Sequence, residues 1–198
     1  MFNSAKYWET RYKKKGTSGD GSYGYYAEFK AKIINEFIRD NNIQSIIDYG
    51  VGDGNQLDLI NTQGKIYTGI DVSNTIIQKC IKKFENDNSK NFILNGNEIN
   101  QSADLVISCD VIYHLIENDI YESYMKNMFK MASKYVIIYA YDEDFSNNLA
   151  KHNKFRKFTP YIKENFSEWK LVNHIPNIDL STKIKNPNQN DFYIYMKV

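Results

Sequence analysis

The sequence is poor in cysteine and carries almost no net charge, and each shortage excludes a class of protein. Only two of the 198 residues are cysteines, Cys80 and Cys109, and they stand far apart. We therefore expect no disulfide framework, no metal site and a reducing, cytoplasmic setting. The 25 Lys and Arg residues are balanced by 24 Asp and Glu residues, which gives a formal charge of +1. Neither nucleic acid nor a membrane surface is predicted as a partner, because no net field would attract the protein to one.

Long apolar segments are also missing. No run approaches the roughly 18 residues that a membrane helix needs, and Met1 to Lys6 contain no hydrophobic signal core. We therefore expect a soluble chain without a membrane span. Its 42% of hydrophobic residues suffice for a sizeable core. We predict a single domain over residues 1–198, with an N-terminal helix and a glycine-rich lid in residues 1–24 and the core in residues 25–198.

The most informative stretch is a strand pattern followed at once by closely spaced glycines. An apolar run typical of a buried parallel strand ends at Ile47, and glycines then alternate with other residues: Gly50, Gly52 and Gly54. Glycines let the backbone approach a ligand closely, so such a turn before a helix favours a phosphate or nucleoside site. Asn55 stands where the dinucleotide fingerprint needs its third glycine, and this spacing favours another ligand.

Apolar periodicity alternates between strand and helix along the chain. Strands are predicted near residues 44–49, 65–70, 91–94, 104–108, 135–141, 168–175 and 191–198, with helices near 26–38, 55–61, 73–84, 118–132 and 158–166. The last two strands follow each other without a helix between them and can pair as a hairpin. The pattern predicts an α/β fold: a Rossmann-like, doubly wound sheet of seven strands, mostly parallel, with a C-terminal antiparallel hairpin.

Two segments before the first strand leave alternatives open. An aromatic face that includes Tyr12 predicts a short helix, which either packs on the domain or forms a flap over a ligand. The loop from Gly16 to Gly24, which contains Ser22 and Tyr23, is either a plain linker or a lid over the site.

In a doubly wound sheet the ligand lies at the carboxyl ends of the strands. Asp71 follows the second predicted strand there and can accept two hydrogen bonds from a ribose diol, or it merely caps the next helix.

Together these segments resemble the class I S-adenosylmethionine-dependent methyltransferases over nearly the whole chain. Residues 48–54, 67–73 and 104–115 are similar to the first, second and fourth motifs of that family. The resemblance implies S-adenosylmethionine as the cofactor and S-adenosylhomocysteine as its product. It also implies a set of cofactor contacts: Gly50, Gly52 and Gly54 around the methionine part, Asp48 near its amino group, Asp71 at the ribose, Val72 and Asn97 at the adenine, Asp110, and Tyr12 as part of a cover.

The chain is also similar to small methyltransferases encoded among bacterial capsule and surface-polysaccharide genes. Residues 18–24, 52–57 and 152–159 carry that similarity. It implies a small-molecule or saccharide acceptor, and the narrower hypothesis is an anionic one, a phosphoramidate or a phosphorylated sugar precursor. Ser22, Tyr23, His152 and Arg156 are the predicted substrate-binding residues, because a clustered His and Arg can grip a phosphoryl group. The alternative for the basic segment is a solvated loop.

Methyl transfer from a sulfonium requires positioning of the acceptor in a dry site. A neutral sugar hydroxyl, the alternative acceptor, also needs a base. His114 is the candidate because its ordinary pKa of about 6.5 suits that role, with Tyr113 or Asp110 orienting it. An anionic oxygen needs no base. In either case His114 could instead be a packing residue.

Other classes remain as alternatives. A non-catalytic cofactor-binding scaffold would keep the glycine turn but lose polar side chains on the acceptor side. A nucleic-acid methyltransferase would show a basic groove or an Asn/Asp-Pro-Pro-aromatic motif, and a nicotinamide enzyme would bind NAD. The oligomeric state does not follow from the sequence.

Overall fold

The computed structural model describes residues 2–96, 100–144, 151–177 and 190–198. Its helices are α1 (Ser4–Lys13), α2 (Gly24–Asp40), α3 (Asn74–Lys83), α4 (Asn118–Met131) and α5 (Phe158–Asn165). Its strands are β1 (Ser45–Tyr49), β2 (Ile66–Asp71), β3 (Lys90–Leu94), β4 (Ala103–Cys109), β5 (Ala132–Ala140), β6 (Trp169–Ile175) and β7 (Asp191–Lys197). No helix within the described ranges is long and apolar enough to cross a membrane.

The seven strands form one sheet in the order β3-β2-β1-β4-β5-β7-β6. β1 pairs with β2 and β2 with β3 in parallel, whereas β7 runs antiparallel to both β5 and β6. The predicted fold is therefore confirmed, including the antiparallel C-terminal hairpin. From β3 to β1 the strands stand in reverse chain order, and beyond β1 the sheet continues with β4. In open α/β sheets ligands bind where the strand order changes direction in this way.

Contacts divide the chain into two compact units, residues 5–104 and residues 105–198 together with the first residues through Ser4. The N-terminal unit carries the glycine turn, and the C-terminal unit carries the segment after β4. The single domain over residues 1–198 stays a prediction.

One predicted helix is absent. Residues 55–61 were expected to be helical, but only a 3-10 turn forms, at Leu57–Leu59. The Asn35 side chain in α2 donates to the Leu59 carbonyl oxygen (2.9 Å) and accepts from the Asn61 N–H (2.7 Å). Within a helix over residues 55–61 the Asn61 N–H would bond the Leu57 carbonyl oxygen, but Asn35 accepts it instead, and Ile60 is extended. A side chain distant in sequence thus overrides the local periodicity.

Candidate functional site

The glycine turn after β1 needs glycine at each of its three alternate positions. Gly50, Gly52 and Gly54 have φ values of 103°, 57° and 71°, where other residues are strained. Space is short as well: a Cβ on Gly52 would lie 2.3 Å from Ser18 Oγ, and one on Gly54 would lie 2.9 Å from a ring carbon of Phe84. The turn therefore fixes backbone N–H groups in an arrangement that no larger residue permits.

Asp71, at the end of β2, ties the glycine turn to the start of α3. Its Oδ2 accepts from the Gly52 N–H (3.1 Å) and its Oδ1 accepts from the Ser73 N–H (2.9 Å). Ser73 itself caps α3 by accepting from the Ile76 N–H. The alternative that Asp71 is only a helix cap is therefore incomplete, because one of its oxygens holds the glycine turn. Burial raises the pKa of Asp71 to about 6, although backbone N–H donors oppose this.

Asp48 is buried in β1, two residues before Gly50. Its Oδ2 accepts from the Tyr67 hydroxyl at 2.7 Å. Burial raises its pKa to about 6, while the Tyr67 bond and the positive charge of the buried Lys30 lower it. A buried carboxylate whose pKa departs this far from the ordinary value is typical of a functional site.

The loop from residue 16 to residue 23 lies against the glycine turn and is held there by Asp53. Asp53 Oδ2 accepts from the Ser18 N–H (2.8 Å) and from the Tyr23 hydroxyl (2.7 Å). In return, Ser18 Oγ accepts from the Asp53 N–H (2.9 Å) and lies 3.1 Å from the Tyr12 hydroxyl. The Asn55 side chain adds a bond to the carbonyl oxygen of Ser22. We call the Ser18, Tyr23 and Asp53 contacts the latch.

The N-terminal unit thus brings together most of the predicted cofactor residues. Tyr12 is buried, and burial raises its pKa far above the ordinary value. Val72 is half-buried beside Asp71. Asn97 lies outside the described residues. Ser22 and Tyr23, predicted to bind the substrate, are bonded within this unit to Asn55 and Asp53.

α1 is anchored by an acidic residue, Glu9, that was not among the predicted site residues. Glu9 accepts from the hydroxyls of Ser73 (2.5 Å) and Thr75 (2.8 Å) and from the Thr75 N–H (3.2 Å). Lys13, one turn later, is paired with it at 3.1 Å. The Ser73 bond is the largest cause that lowers the pKa of Glu9 to about 2. α1 therefore packs across the N-terminus of α3, where a negative charge is favourable.

In the C-terminal unit, β4 ends in a turn that groups three predicted catalytic residues. Asp110 has φ 61°, and Ile112–His114 form a 3-10 turn. The Tyr113 hydroxyl donates to Asp110 Oδ1 at 3.1 Å, and the rings of Tyr113 and His114 lie 4.5 Å apart between centroids. Burial places the pKa of Tyr113 well above its ordinary value. The structure therefore assembles Asp110, Tyr113 and His114 into one cluster.

His114 also contacts the predicted substrate segment. Its Nδ1 lies 3.1 Å from the carbonyl oxygen of His152, and the two imidazoles stack at 5.6 Å. A carbonyl oxygen only accepts, so Nδ1 carries the proton and Nε2 keeps a lone pair. Burial lowers the pKa of His114 to about 4. The imidazole is therefore neutral near pH 7.

Arg156 is bonded to the chain's own backbone. Its guanidinium donates to the carbonyl oxygens of Leu115 (2.7 Å) and Ile116 (3.0 Å) and to Asn118 Oδ1 (3.0 Å), and it lies 4.4 Å from the Tyr121 ring centroid. These bonds use three of the five N–H donors of a guanidinium. The geometry favours a role in fixing the segment after His114. Binding of the substrate by Arg156 stays a prediction.

Comparison with known proteins gives the family. A family model described as a methyltransferase domain matches residues 23–177. A comparison with curated proteins found no match.

Within the described ranges, no cluster of His, Cys, Asp and Glu is arranged to hold a metal ion.

Solved structures share the fold at low sequence identity. The N-methyltransferase NodS from Bradyrhizobium japonicum WM9, in complex with S-adenosylhomocysteine, is 13% identical, with a TM-score of 0.74 and 99% of each chain covered. Magnesium protoporphyrin IX methyltransferase from Synechocystis PCC 6803, with bound S-adenosylmethionine, is 14% identical, with a TM-score of 0.68 and coverage of 100% of this chain and 99% of the other. Because the family model spans well over half of the sequence, the chain belongs to the methyltransferase domain family, which confirms the predicted enzyme class.

Proposed function

We propose that the protein transfers the methyl group of S-adenosylmethionine to a hydroxyl group of a small polar acceptor, a sugar or a sugar precursor. Family membership supports methyl transfer, and the groups around the glycine turn support the cofactor. The setting in capsule or surface-polysaccharide biosynthesis rests on the sequence resemblance alone and stays a prediction.

The residues of the N-terminal unit suit S-adenosylmethionine. When bound, the cofactor supplies an electrophilic methyl group on a sulfonium. Gly50 and Gly52 would line its methionine part, because glycines at positive φ let the backbone approach a ligand closely. Asp71 would hold the ribose diol, since a carboxylate has about four acceptor sites and backbone N–H groups do not use them all. Asp48 would attract the ammonium group.

The bonds that Arg156 makes to backbone carbonyl oxygens are the observation that supports a hydroxyl acceptor over an anionic one. An anionic phosphoramidate would need a cationic clamp, but this guanidinium binds the Leu115 and Ile116 carbonyl oxygens instead. The nearby His114 is neutral at pH 7, because burial lowers its pKa to about 4. The neutral imidazole of His114 has Nε2 as a hydrogen-bond acceptor, which matches a hydroxyl better than an anion.

His114 would take the proton of the acceptor hydroxyl on Nε2 as the oxygen gains its methyl group. The bond from Nδ1 to the His152 carbonyl fixes the tautomer that this requires. A base with a pKa near 4 is weaker than an ordinary histidine, so most of its benefit would come from position.

A labelled-methyl assay tests the proposal. The protein is incubated with methyl-labelled S-adenosylmethionine and either neutral methyl glycosides or a phosphoramidate-bearing sugar. We expect transfer to the glycosides and a loss of at least a hundredfold in His114→Asn, in which an amide N–H keeps the bond to His152 but the Nε2 base is gone. Lys126→Asn, at an exposed position of α4, is the control and should leave transfer unchanged.

Methylation of the phosphoramidate alone would support the anionic alternative and contradict the hydroxyl proposal. Tight binding of S-adenosylhomocysteine without transfer to any acceptor would instead indicate a non-catalytic scaffold.

A further inference from the structure

Asp110 is held in an unusual backbone conformation at the end of β4. Its φ of 61° lies in the left-handed region, which a few residues such as Asp and Asn tolerate. Its N–H donates to the Tyr139 carbonyl oxygen at 2.9 Å. The backbone is therefore fixed, and the place of the carboxylate depends on what bonds it.

Two donors converge on the same oxygen of Asp110. The Tyr113 hydroxyl donates to Oδ1 from three residues later, and the Asn190 side-chain amide donates to it from just before β7. A carboxylate that receives two donors on one oxygen is held more firmly than one that receives a single donor. Of these two donors, Asn190 is the one that is distant from Asp110 in the sequence.

The position of Asn190 is set by the start of β7. The next residue, Asp191, pairs with Ala140 of β5 and accepts from the Asn177 N–H at 2.9 Å and from His174 Nε2 at 2.9 Å. Asn177 in turn donates to the Tyr139 hydroxyl at 2.9 Å. Since Tyr139 also accepts from the Asp110 N–H, the hairpin and the turn after β4 are connected at two places.

The Asp110 carboxylate connects onward to His114 through the Tyr113 ring. That ring is tilted by 57° against the imidazole and stacks on Phe155 at 5.3 Å between centroids. A displaced Asp110 would release the Tyr113 hydroxyl, and more water could then reach the half-buried imidazole. We propose that Asn190 is a positioning residue that acts through Asp110 and Tyr113 to hold His114 for the acceptor. This inference rests on the proposed function.

The test combines kinetics with a measurement that needs no acceptor. The protein has three histidines, so the imidazole resonances can be assigned by single substitutions, and the titration midpoint of His114 can be followed by NMR. In Asn190→Ala we expect that midpoint to rise by about one unit toward the ordinary value, because the imidazole becomes solvated. With methyl glycosides as acceptors, kcat should fall about tenfold while KM for S-adenosylmethionine is unchanged.

Asn190→Asp separates positioning from packing. It keeps the volume of Asn190 but replaces the donor with a charge that repels Asp110, so kcat should fall at least as much as in Asn190→Ala. Asn173→Ala, which changes an exposed residue of β6, is the control and should leave both measurements unaltered.

A wild-type His114 midpoint in Asn190→Ala would overturn the proposal, as would full activity in Asn190→Asp beside a loss in Asn190→Ala, since that order indicates packing alone. If the wild-type protein methylates no acceptor, the proposed function fails, and the NMR midpoints still decide whether Asn190 holds His114.

Discussion

Removing the Asp53 carboxylate should open the loop over the glycine turn. In Asp53→Ala the loop loses the bonds from the Ser18 N–H (2.8 Å) and the Tyr23 hydroxyl (2.7 Å). A bond to a charged group contributes about 1.5–3 kcal/mol when buried, and these are partly exposed, so we take about 1 kcal/mol for each. The total of about 2 kcal/mol corresponds to a roughly 30-fold increase in the open population.

Hydrogen exchange measures that opening at amides that Asp53 does not touch. The Ser22 and Tyr23 N–H groups donate to the Gly19 and Asp20 carbonyl oxygens within the loop, at 3.0 and 3.1 Å. In Asp53→Ala we expect both amides to exchange about 30-fold faster, and S-adenosylhomocysteine to dissociate faster, because the latch no longer holds the loop.

The matched control is Asp20→Ala, which removes a carboxylate from the same loop outside the latch. Its exchange rates should stay within about threefold of wild type. Equal acceleration in both variants would mean that loop charge, and not the latch, governs opening. Unchanged exchange in Asp53→Ala would refute the latch itself.

Three further predictions concern charge. Glu9→Gln should lower the unfolding free energy at pH 7 by about 1 kcal/mol, discounted for exposure. The pKa of Glu9 is lowered to about 2, chiefly by the Ser73 hydroxyl, so its contribution is complete above about pH 4.5 and lost as pH falls through 2. Urea titrations at pH 7 and 3 should show the difference shrinking; a constant difference would argue against an ionic role. The kcat of the wild-type enzyme should fall only near pH 4, where His114 becomes protonated, whereas a midpoint near 6.5 would show a solvated imidazole. Arg156→Lys should lower the free energy of unfolding by about 1–2 kcal/mol, because the bond to the Leu115 carbonyl oxygen is weakened, and should leave the KM for the acceptor unchanged. A raised KM with unchanged stability would instead indicate that Arg156 binds the substrate.

The glycine turn could be predicted from sequence because its constraint is local. Each of its glycines has a positive φ, and the apolar run of β1 ends directly before the turn. Asp71 was predictable for a similar reason, since the end of a parallel strand fixes where its side chain lies. The sheet followed from periodicity alone, down to the antiparallel β6–β7 pair.

Contacts between distant residues left no such pattern. Ser18 and Asp53 are 35 residues apart and Asn190 and Asp110 are 80 apart, and Asn, Asp and Ser are also the ordinary residues of exposed loops. The helix expected at residues 55–61 failed for the same reason, because Asn35 in α2 competes for its backbone groups. Arg156 was predicted to bind the substrate, and nothing in its neighbouring sequence indicated that its guanidinium bonds the carbonyl oxygen of Ile116, 40 residues earlier.

The two buried acids of the N-terminal unit suggest why a cationic cofactor suits this turn. Burial raises the pKa of both Asp48 and Asp71 to about 6, which means that keeping each ionised at pH 7 costs on the order of 3 kcal/mol, a figure that for Asp48 already includes the favourable charge of Lys30. This cost is absent well below pH 4, grows between about pH 4 and pH 6, and is complete above pH 6. A ligand with an ammonium and a sulfonium would offset it, so we expect affinity for S-adenosylmethionine to increase over that range. Loss of the sulfonium charge on methyl transfer removes part of the compensation, and the same two acids would then favour release of the demethylated product.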